Sequence, residues 1–217
     1  MDSHLKNPQN KDILLKLGVA FGLLFVVKYK WAKAYIVALI LFTFWFFREP
    51  STPVAPDEKG YSIVRSPCYG TVTDIVEDED GVRFSAFLSV FDPHAQYAPT
   101  DSVIIDYQYT PGAFHPAQLY QKTRLNERAT AIFRTPDNER IHVTQIAGFI
   151  ARRILSFVSV GEPLEAGQPY GMIRFGSRVD VSLPKGYQLK VKVGDRLQGP
   201  GTVIAWKKKL NSPLVVS

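Results

Sequence analysis

With 217 residues, 46% of them hydrophobic and 21% charged, the chain is globular on average and long enough for one ordinary domain plus a further segment. Its formal charge of +6 suits an anionic partner. The lysines sit beside apolar stretches and at the C-terminus without forming a clustered basic face, which points to an anionic membrane and away from nucleic acid. The single cysteine, Cys68, excludes an intramolecular disulfide framework and a Cys-rich metal site.

Residues 1–12 are polar. Ile13 to Val27 is apolar apart from Lys16, and Ala34 to Phe47 is apolar apart from Thr43. The basic, aromatic bridge Lys28-Tyr29-Lys30-Trp31-Ala32-Lys33 between them has the composition of a lipid–water interface. Each run falls short of the roughly 20 residues that span a bilayer. Residues 1–47 therefore predict a membrane-embedded helical hairpin, shallow in the bilayer, with one spanning helix as the alternative. Buried helices of a soluble core do not fit, because no polar residues pattern either run at a period of 3.6. No small-residue cleavage site precedes Lys28, which argues against a signal peptide.

Pro50, Pro53 and Pro56 forbid a helix across residues 48–60 and predict an extended linker. From residue 61 to 217 the pattern becomes short strands and turns. Strands are expected at Ser62–Arg65, Gly70–Val76, Arg83–Phe91, Val103–Tyr109, Ala129–Thr135 and Arg140–Ile146. Hairpin turns are expected at Asp80-Gly81 and across Pro136-Asp137-Asn138-Glu139. Residues 115–128 read as a short helix or loop, and Ala147–Phe157 is ambiguous between helix and strand. The heptad Val158-Ser159-Val160-Gly161-Glu162-Pro163-Leu164 recurs as Val191-Lys192-Val193-Gly194-Asp195-Arg196-Leu197, each copy followed by a turn glycine, Gly167 or Gly199. Two such corners imply quasi-symmetric packing in a mainly β, barrel-sandwich-like domain.

The chemistry centres on Arg174-Phe175-Gly176-Ser177-Arg178-Val179-Asp180. A serine after glycine can attack the preceding carbonyl, shift the amide to an ester and eliminate, leaving a dehydroalanine that hydrolyses to a pyruvoyl group. The dipeptide by itself more often marks a turn. No two histidines have metal-ligand spacing, so no metal is expected. His142 reads as structural or exposed and His115 as a loop residue.

Several blocks occur in a particular order: Phe47-Arg48-Glu49-Pro50, Ser66-Pro67-Cys68-Tyr69-Gly70, Phe87-Leu88-Ser89-Val90-Phe91-Asp92-Pro93-His94, Pro111-Gly112-Ala113-Phe114 and Asn126-Glu127-Arg128. They are followed by Gln145-Ile146-Ala147-Gly148-Phe149-Ile150-Ala151-Arg152-Arg153 and Gly171-Met172-Ile173-Arg174-Phe175-Gly176-Ser177-Arg178-Val179-Asp180. In these blocks the chain resembles the short-form phosphatidylserine decarboxylases, from about Phe44 to Trp206. The resemblance implies a pyruvoyl-dependent lyase whose precursor cuts between Gly176 and Ser177. The products would be a β chain of residues 1–176 and an α chain of residues 177–217. The pyruvoyl made from Ser177 would form a Schiff base with phosphatidylserine, act as electron sink while CO2 leaves, and release phosphatidylethanolamine. The resemblance gives His94 the role of general acid and base, possible from a pKa near neutrality. Arg174, Arg178 and Arg152 are the candidate contacts to headgroup phosphate or carboxylate. It also implies membrane association, with the catalytic domain on the cytoplasmic side of the inner membrane and a homodimer as one assembly.

Two positions depart from the family pattern. Tyr69 stands where the family has the aspartate assigned to its self-cleavage triad, and Tyr97 stands where it has an arginine. One reading keeps self-cleavage, with His94 oriented by Asp92 as base for Ser177. Another is a decarboxylase-like membrane protein that does not mature and binds lipid or a partner. A third is a membrane-anchored carrier-like β module, for which Lys185 beside Gly186 is the only candidate attachment lysine.

Overall fold

The computed structural model describes residues 11–113, 125–148, 153–174 and 177–209. They divide into two compact units, one ending at Ser51 and one beginning at Thr52.

The first unit holds α1 (Lys11–Val26) and α2 (Lys30–Phe46), which pack on one another. Both runs are rich in Leu, Ala, Phe and Val and lack proline, so helix formation meets no local obstacle. The break falls at the basic bridge, where Tyr29 is extended (φ −80°, ψ 126°). At the other end the Phe47 N–H donates to the Thr43 carbonyl, and Arg48 donates to the Trp45 carbonyl at 2.9 Å while lying over the indole. No helix among the described residues is long and apolar enough to cross a membrane. Large apolar side chains nevertheless face outward all round the pair, including Leu15, Phe21, Phe25, Tyr35 and Leu41.

The second unit is mainly β, as expected. An antiparallel eight-stranded sheet curls into a half-barrel with the order β13-β2-β3-β11-β7-β6-β5-β9. Along the chain these are β2 (Tyr69–Asp78), β3 (Gly81–Leu88), β5 (Ser102–Thr110), β6 (Arg128–Arg134), β7 (Arg140–Ala147), β9 (Pro163–Leu164), β11 (Ser177–Pro184) and β13 (Arg196–Gln198). Two three-stranded sheets complete the unit. One is β1-β14-β12, from Tyr61–Arg65, Val203–Lys208 and Gln188–Leu189; the other is β4-β10-β8, from Ala95–Tyr97, Pro169–Arg174 and Arg153–Ser156. The ambiguous segment at 147–157 thus ends as strand β8. Alternation does the folding: Ile141, Val143 and Ala147 on β7 and Val179, Val181 and Leu183 on β11 are buried against Phe84, Phe133 and Ile104.

The repeated heptad marks the two edges of the long sheet. Gly161 and Gly194 both adopt left-handed φ, +92° and +94°. The Glu162 carboxylate accepts the Ser159 N–H at 3.0 Å and the Asp195 carboxylate accepts the Lys192 N–H at 2.9 Å. Each corner docks in the same way. Gly161 N–H donates to Ile104 on β5 and Gly194 N–H to Val72 on β2, both at 2.8 Å. β2 and β5 each carry a register shift two to four residues in, at Val72/Asp74 and Ile104/Asp106. The sheet is quasi-symmetric about the β11–β7 pair.

The proline-rich segment has no helix or strand, as predicted, but from Thr52 onward it is fastened to the β unit. The Ala55 N–H donates to the Pro200 carbonyl at 2.9 Å, and buried Arg65 donates to the Ala55 carbonyl and to Asp57, each at 2.6 Å.

Candidate active site

The central pair β11–β7 positions the Gly-Ser block. Ser177 opens β11, directly opposite Leu88 at the end of β3 and Ala147 at the end of β7. β10 runs toward the same junction and ends at Arg174. Gly176, Arg152 and His115 lie outside the described residues, as do the side chains of Ser177 and Arg174. What the structure places is the backbone up to Arg174 and from Ser177 onward, with the described strands that pair with it.

The connection from β3 to β4 starts opposite Ser177 and returns beside β10, because the His94 carbonyl accepts the Ile173 N–H at 3.2 Å. It therefore runs from the strand end opposite Ser177 to the edge of β10 at Ile173. Its shape comes from Asp92, whose carboxylate is 1% exposed. One oxygen accepts the Ser89 N–H at 2.8 Å and the Ser89 hydroxyl at 2.9 Å, and Arg196 reaches in from β13 to pair with the carboxylate. His94 is fully buried, with Nδ1 2.6 Å from the Asp92 carbonyl. A carbonyl oxygen can only accept, so Nδ1 carries the proton and the neutral ring has its lone pair on Nε2. Asp92 does orient His94, but through its backbone; its carboxylate is occupied in holding the loop.

A second buried polar group lies on the core face of the same sheet end. Gln145 sits one inward step along β7 from Ala147, opposite Val179 on β11, and is 1% exposed. Neither its Nε2 nor its Oε1 has a hydrogen-bond partner, and the fully buried Tyr170 hydroxyl and Gln96 Oε1 have none either. The Tyr170 hydroxyl lies near the Gln145 amide without a well-formed bond. Burial pushes that phenol far above its usual pKa, the amide offsets part of the rise, and Tyr107 and Cys68 add to it. Gly171 leaves room for the amide: a Cβ there would stand 2.6 Å from the Leu155 carbonyl and 3.1 Å from Gln145 Nε2. Gln96, opposite Gly171, spends its Nε2 on the His94 carbonyl at 3.2 Å. Motif reading passes over Gln145 as a site residue. The signal was its polar side chain at an inward position of an alternating strand.

Ala147, the residue opposite Ser177, is clamped from the other side. Its carbonyl accepts Asn126 Nδ2 at 2.7 Å and its N–H donates to the Glu127 carbonyl at 2.9 Å. Glu127, also buried, accepts the Ile154 N–H at 3.2 Å. The block Asn126-Glu127-Arg128 is thus a brace for the strand end.

Tyr69 donates its hydroxyl to Thr52 Oγ1 at 2.6 Å, anchoring the incoming segment, and its ring rests on Gly199. That ring meets the Tyr97 ring edge-to-face, at 6.1 Å and 68°. The two departures from the family pattern are therefore neighbours: an aromatic pair occupies both positions. Arg178 is buried and forks onto Asp180, Nε to Oδ1 at 2.6 Å and Nη2 to Oδ2 at 2.7 Å, so its charge is balanced within β11. Cys68 is fully buried with its thiol pushed up to about 12 by desolvation, which makes it a poor nucleophile. Lys185 of the carrier reading follows β11, and its carbonyl accepts from Lys207 at 3.4 Å.

The family model described as phosphatidylserine decarboxylase matches residues 39–205. Curated proteins named phosphatidylserine decarboxylase proenzyme are similar over 173 residues, covering 77% of this chain and 79% of theirs. Those of Burkholderia lata and Burkholderia vietnamiensis are 38% identical. That of Burkholderia cenocepacia is 39% identical over the same span. The β11 block, the His94 loop and the β7 brace all fall inside the matched region, and the chain belongs to the phosphatidylserine decarboxylase family.

Proposed function

We propose that this chain is a proenzyme that cuts itself between Gly176 and Ser177 and then decarboxylates phosphatidylserine to phosphatidylethanolamine. The observation that carries this is the His94 loop: it runs from the strand end opposite Ser177 to β10, and its imidazole is held through Nδ1 on the Asp92 carbonyl, the tautomer whose basic nitrogen is Nε2. In maturation Nε2 takes the Ser177 hydroxyl proton as the oxygen attacks the Gly176 carbonyl carbon. Collapse expels the Ser177 nitrogen and leaves an ester. Loss of the Ser177 Cα proton then breaks the Cβ–O bond, and the electron pair leaves with the Gly176 carboxylate. Water replaces the nitrogen of the dehydroalanine as ammonia departs. A pyruvoyl group supplies a ketone that takes up an amine and accepts electrons as CO2 leaves. The surroundings of the start of β11 fit such a group, since buried donors and acceptors there are unfilled. In turnover His94 would return a proton to the substrate α-carbon.

The helical unit suits a lipid substrate. α1 and α2 are 16 and 17 residues long, roughly 25 Å each and less than the roughly 30 Å of a bilayer core. Phe25 is 88% exposed and Leu15 71%, with Tyr29, Trp31 and three lysines at the bridge. We read the pair as a hairpin lying in the cytoplasmic leaflet, which would keep the catalytic unit at headgroup height.

The test is intact-mass measurement of the purified chain with and without a ketone-reactive hydrazide. Wild type gives two pieces split at 176/177, the smaller taking up hydrazide, while Ser177→Ala stays whole. His94→Ala slows cutting at least about 100-fold, the ordinary size of a lost general base. The Tyr69–Tyr97 pair favours one second reading, a lipid-binding protein that does not mature. A wild-type chain still whole after long incubation would establish it.

A further inference from the structure

We propose that Gln145, with Tyr170 beside it, is the recognition element for the amino-acid end of the headgroup. This rests on the decarboxylase reading above.

Buried polar atoms are nearly always hydrogen-bonded, and each one left without a partner costs stability. Here a buried amide and the buried hydroxyl beside it act weakly on one another and form no complete hydrogen bond with any other described residue. They are not scattered. Gln145 is one inward step from the residue opposite Ser177, and Gly171 provides the space against which its Nε2 lies. The Asp92 loop a short distance away shows that this chain satisfies a buried polar group where its role is to hold shape.

The unfilled capacity has a definite chemistry. Gln145 Nε2 offers two N–H donors, its Oε1 offers an acceptor, and the Tyr170 hydroxyl offers one of each. A serine headgroup presents an acceptor-only carboxylate next to a donor-only ammonium. A primary amide can serve both at once. An apolar side chain of the same size could serve neither, yet it would suit the surrounding core better. Gln145 therefore binds the substrate carboxylate through Nε2 and the amine through Oε1, with Tyr170 completing the carboxylate contact. Gln96 donates its Nε2 to the His94 carbonyl and so bears on the position of His94.

The experiment compares wild type, Gln145→Met, Gln145→Glu and Tyr170→Phe by intact mass, melting temperature and steady-state kinetics on phosphatidylserine in mixed micelles. A parallel measurement asks whether glycerophosphoserine protects the small fragment from hydrazide. Expected is normal self-cleavage in all four proteins. The Tm of Gln145→Met and Tyr170→Phe should equal or exceed that of wild type, because an unmet polar group has been removed. kcat/KM should fall about 10- to 100-fold for Gln145→Met, the ordinary size of a lost hydrogen bond to a charged group, chiefly through KM. Gln145→Glu should lose more, by setting a carboxylate against a carboxylate. Glycerophosphoserine should protect wild type and fail to protect Gln145→Met. A fall in Tm for Gln145→Met with unchanged kinetics would overturn the assignment in favour of a structural role. Loss of cleavage in Gln145→Met while wild type cuts would overturn it in favour of a role in maturation. A whole wild-type chain would instead defeat the decarboxylase reading itself.

Discussion

Two buried polar neighbourhoods sit at the same end of the long sheet and are built on opposite terms. Around Asp92, carboxylate, serine and arginine partners close on one another and fix the histidine ring. Around Gln145, an amide and a phenol are packed just as deeply and left with bonds to make. A group that shapes the protein is satisfied by the protein; a group that meets a ligand keeps its capacity open at some cost in stability.

That contrast breaks first at Asp92. Asp92→Ala leaves Ser89 and the loop without their acceptor, and should lower Tm by about 4–8 °C, equivalent to about 2 kcal/mol, while slowing self-cleavage. Scanning calorimetry with intact mass checks both. If Tm holds and only cutting slows, the carboxylate acts on the chemistry directly and does not hold the loop closed.

A smaller effect is expected at Tyr69. Tyr69→Phe keeps the ring on Gly199 and Tyr97 but removes the bond to Thr52, for a loss of about 1 kcal/mol, or about 2–4 °C. Limited proteolysis should then cut sooner between Ser51 and Tyr61. An unchanged Tm would mean that Thr52 contributes nothing to holding the segment.

The smallest effect serves as a control outside both neighbourhoods. Burial, and then Arg140, hold the His142 pKa below its usual value of 6.5. The unfolded chain therefore takes the proton first as pH falls. His142 contributes its stability above about pH 6.5 and loses it as pH drops through the lower folded pKa. Against wild type, His142→Gln should show a shallower fall in Tm between pH 6.5 and 5, by about 1 °C. Parallel Tm curves would show that the ring is as easily protonated folded as unfolded.

Legibility followed the range of the interactions. The strands of β2–β3 and β6–β7 were readable from alternation and turn residues because hairpin register is local. The Asp80-Gly81 turn appears with both N–H groups donated to Asp78, and Gly81 at a left-handed φ where a Cβ would strike the Leu183 carbonyl. The heptad echo was readable too, since a left-handed glycine followed by an acid is a local device. The role of Asp92 was not. Two residues before His94 it looked like the carboxylate partner of the imidazole, but Ser89 and, from a distant strand, Arg196 take that carboxylate up. The pairing of Tyr69 with Tyr97 was equally hidden: two separate departures in the sequence are one contact in space.

By itself the sequence determined that this would be a mainly β unit following two apolar helices in the chain, in the phosphatidylserine decarboxylase family, and it supplied the proposal of chemistry at Gly176-Ser177 and His94. Periodicity, turn chemistry and ordered motifs are properties of neighbouring residues, and they survive without a fold. Which oxygen of Asp92 holds the ring, which tyrosine anchors the incoming segment, and which glutamine is buried with its bonds unmade were decided by tertiary structure alone. Each depends on whether a distant strand delivers a partner, and hydrogen bonds count only once the chain has closed around them.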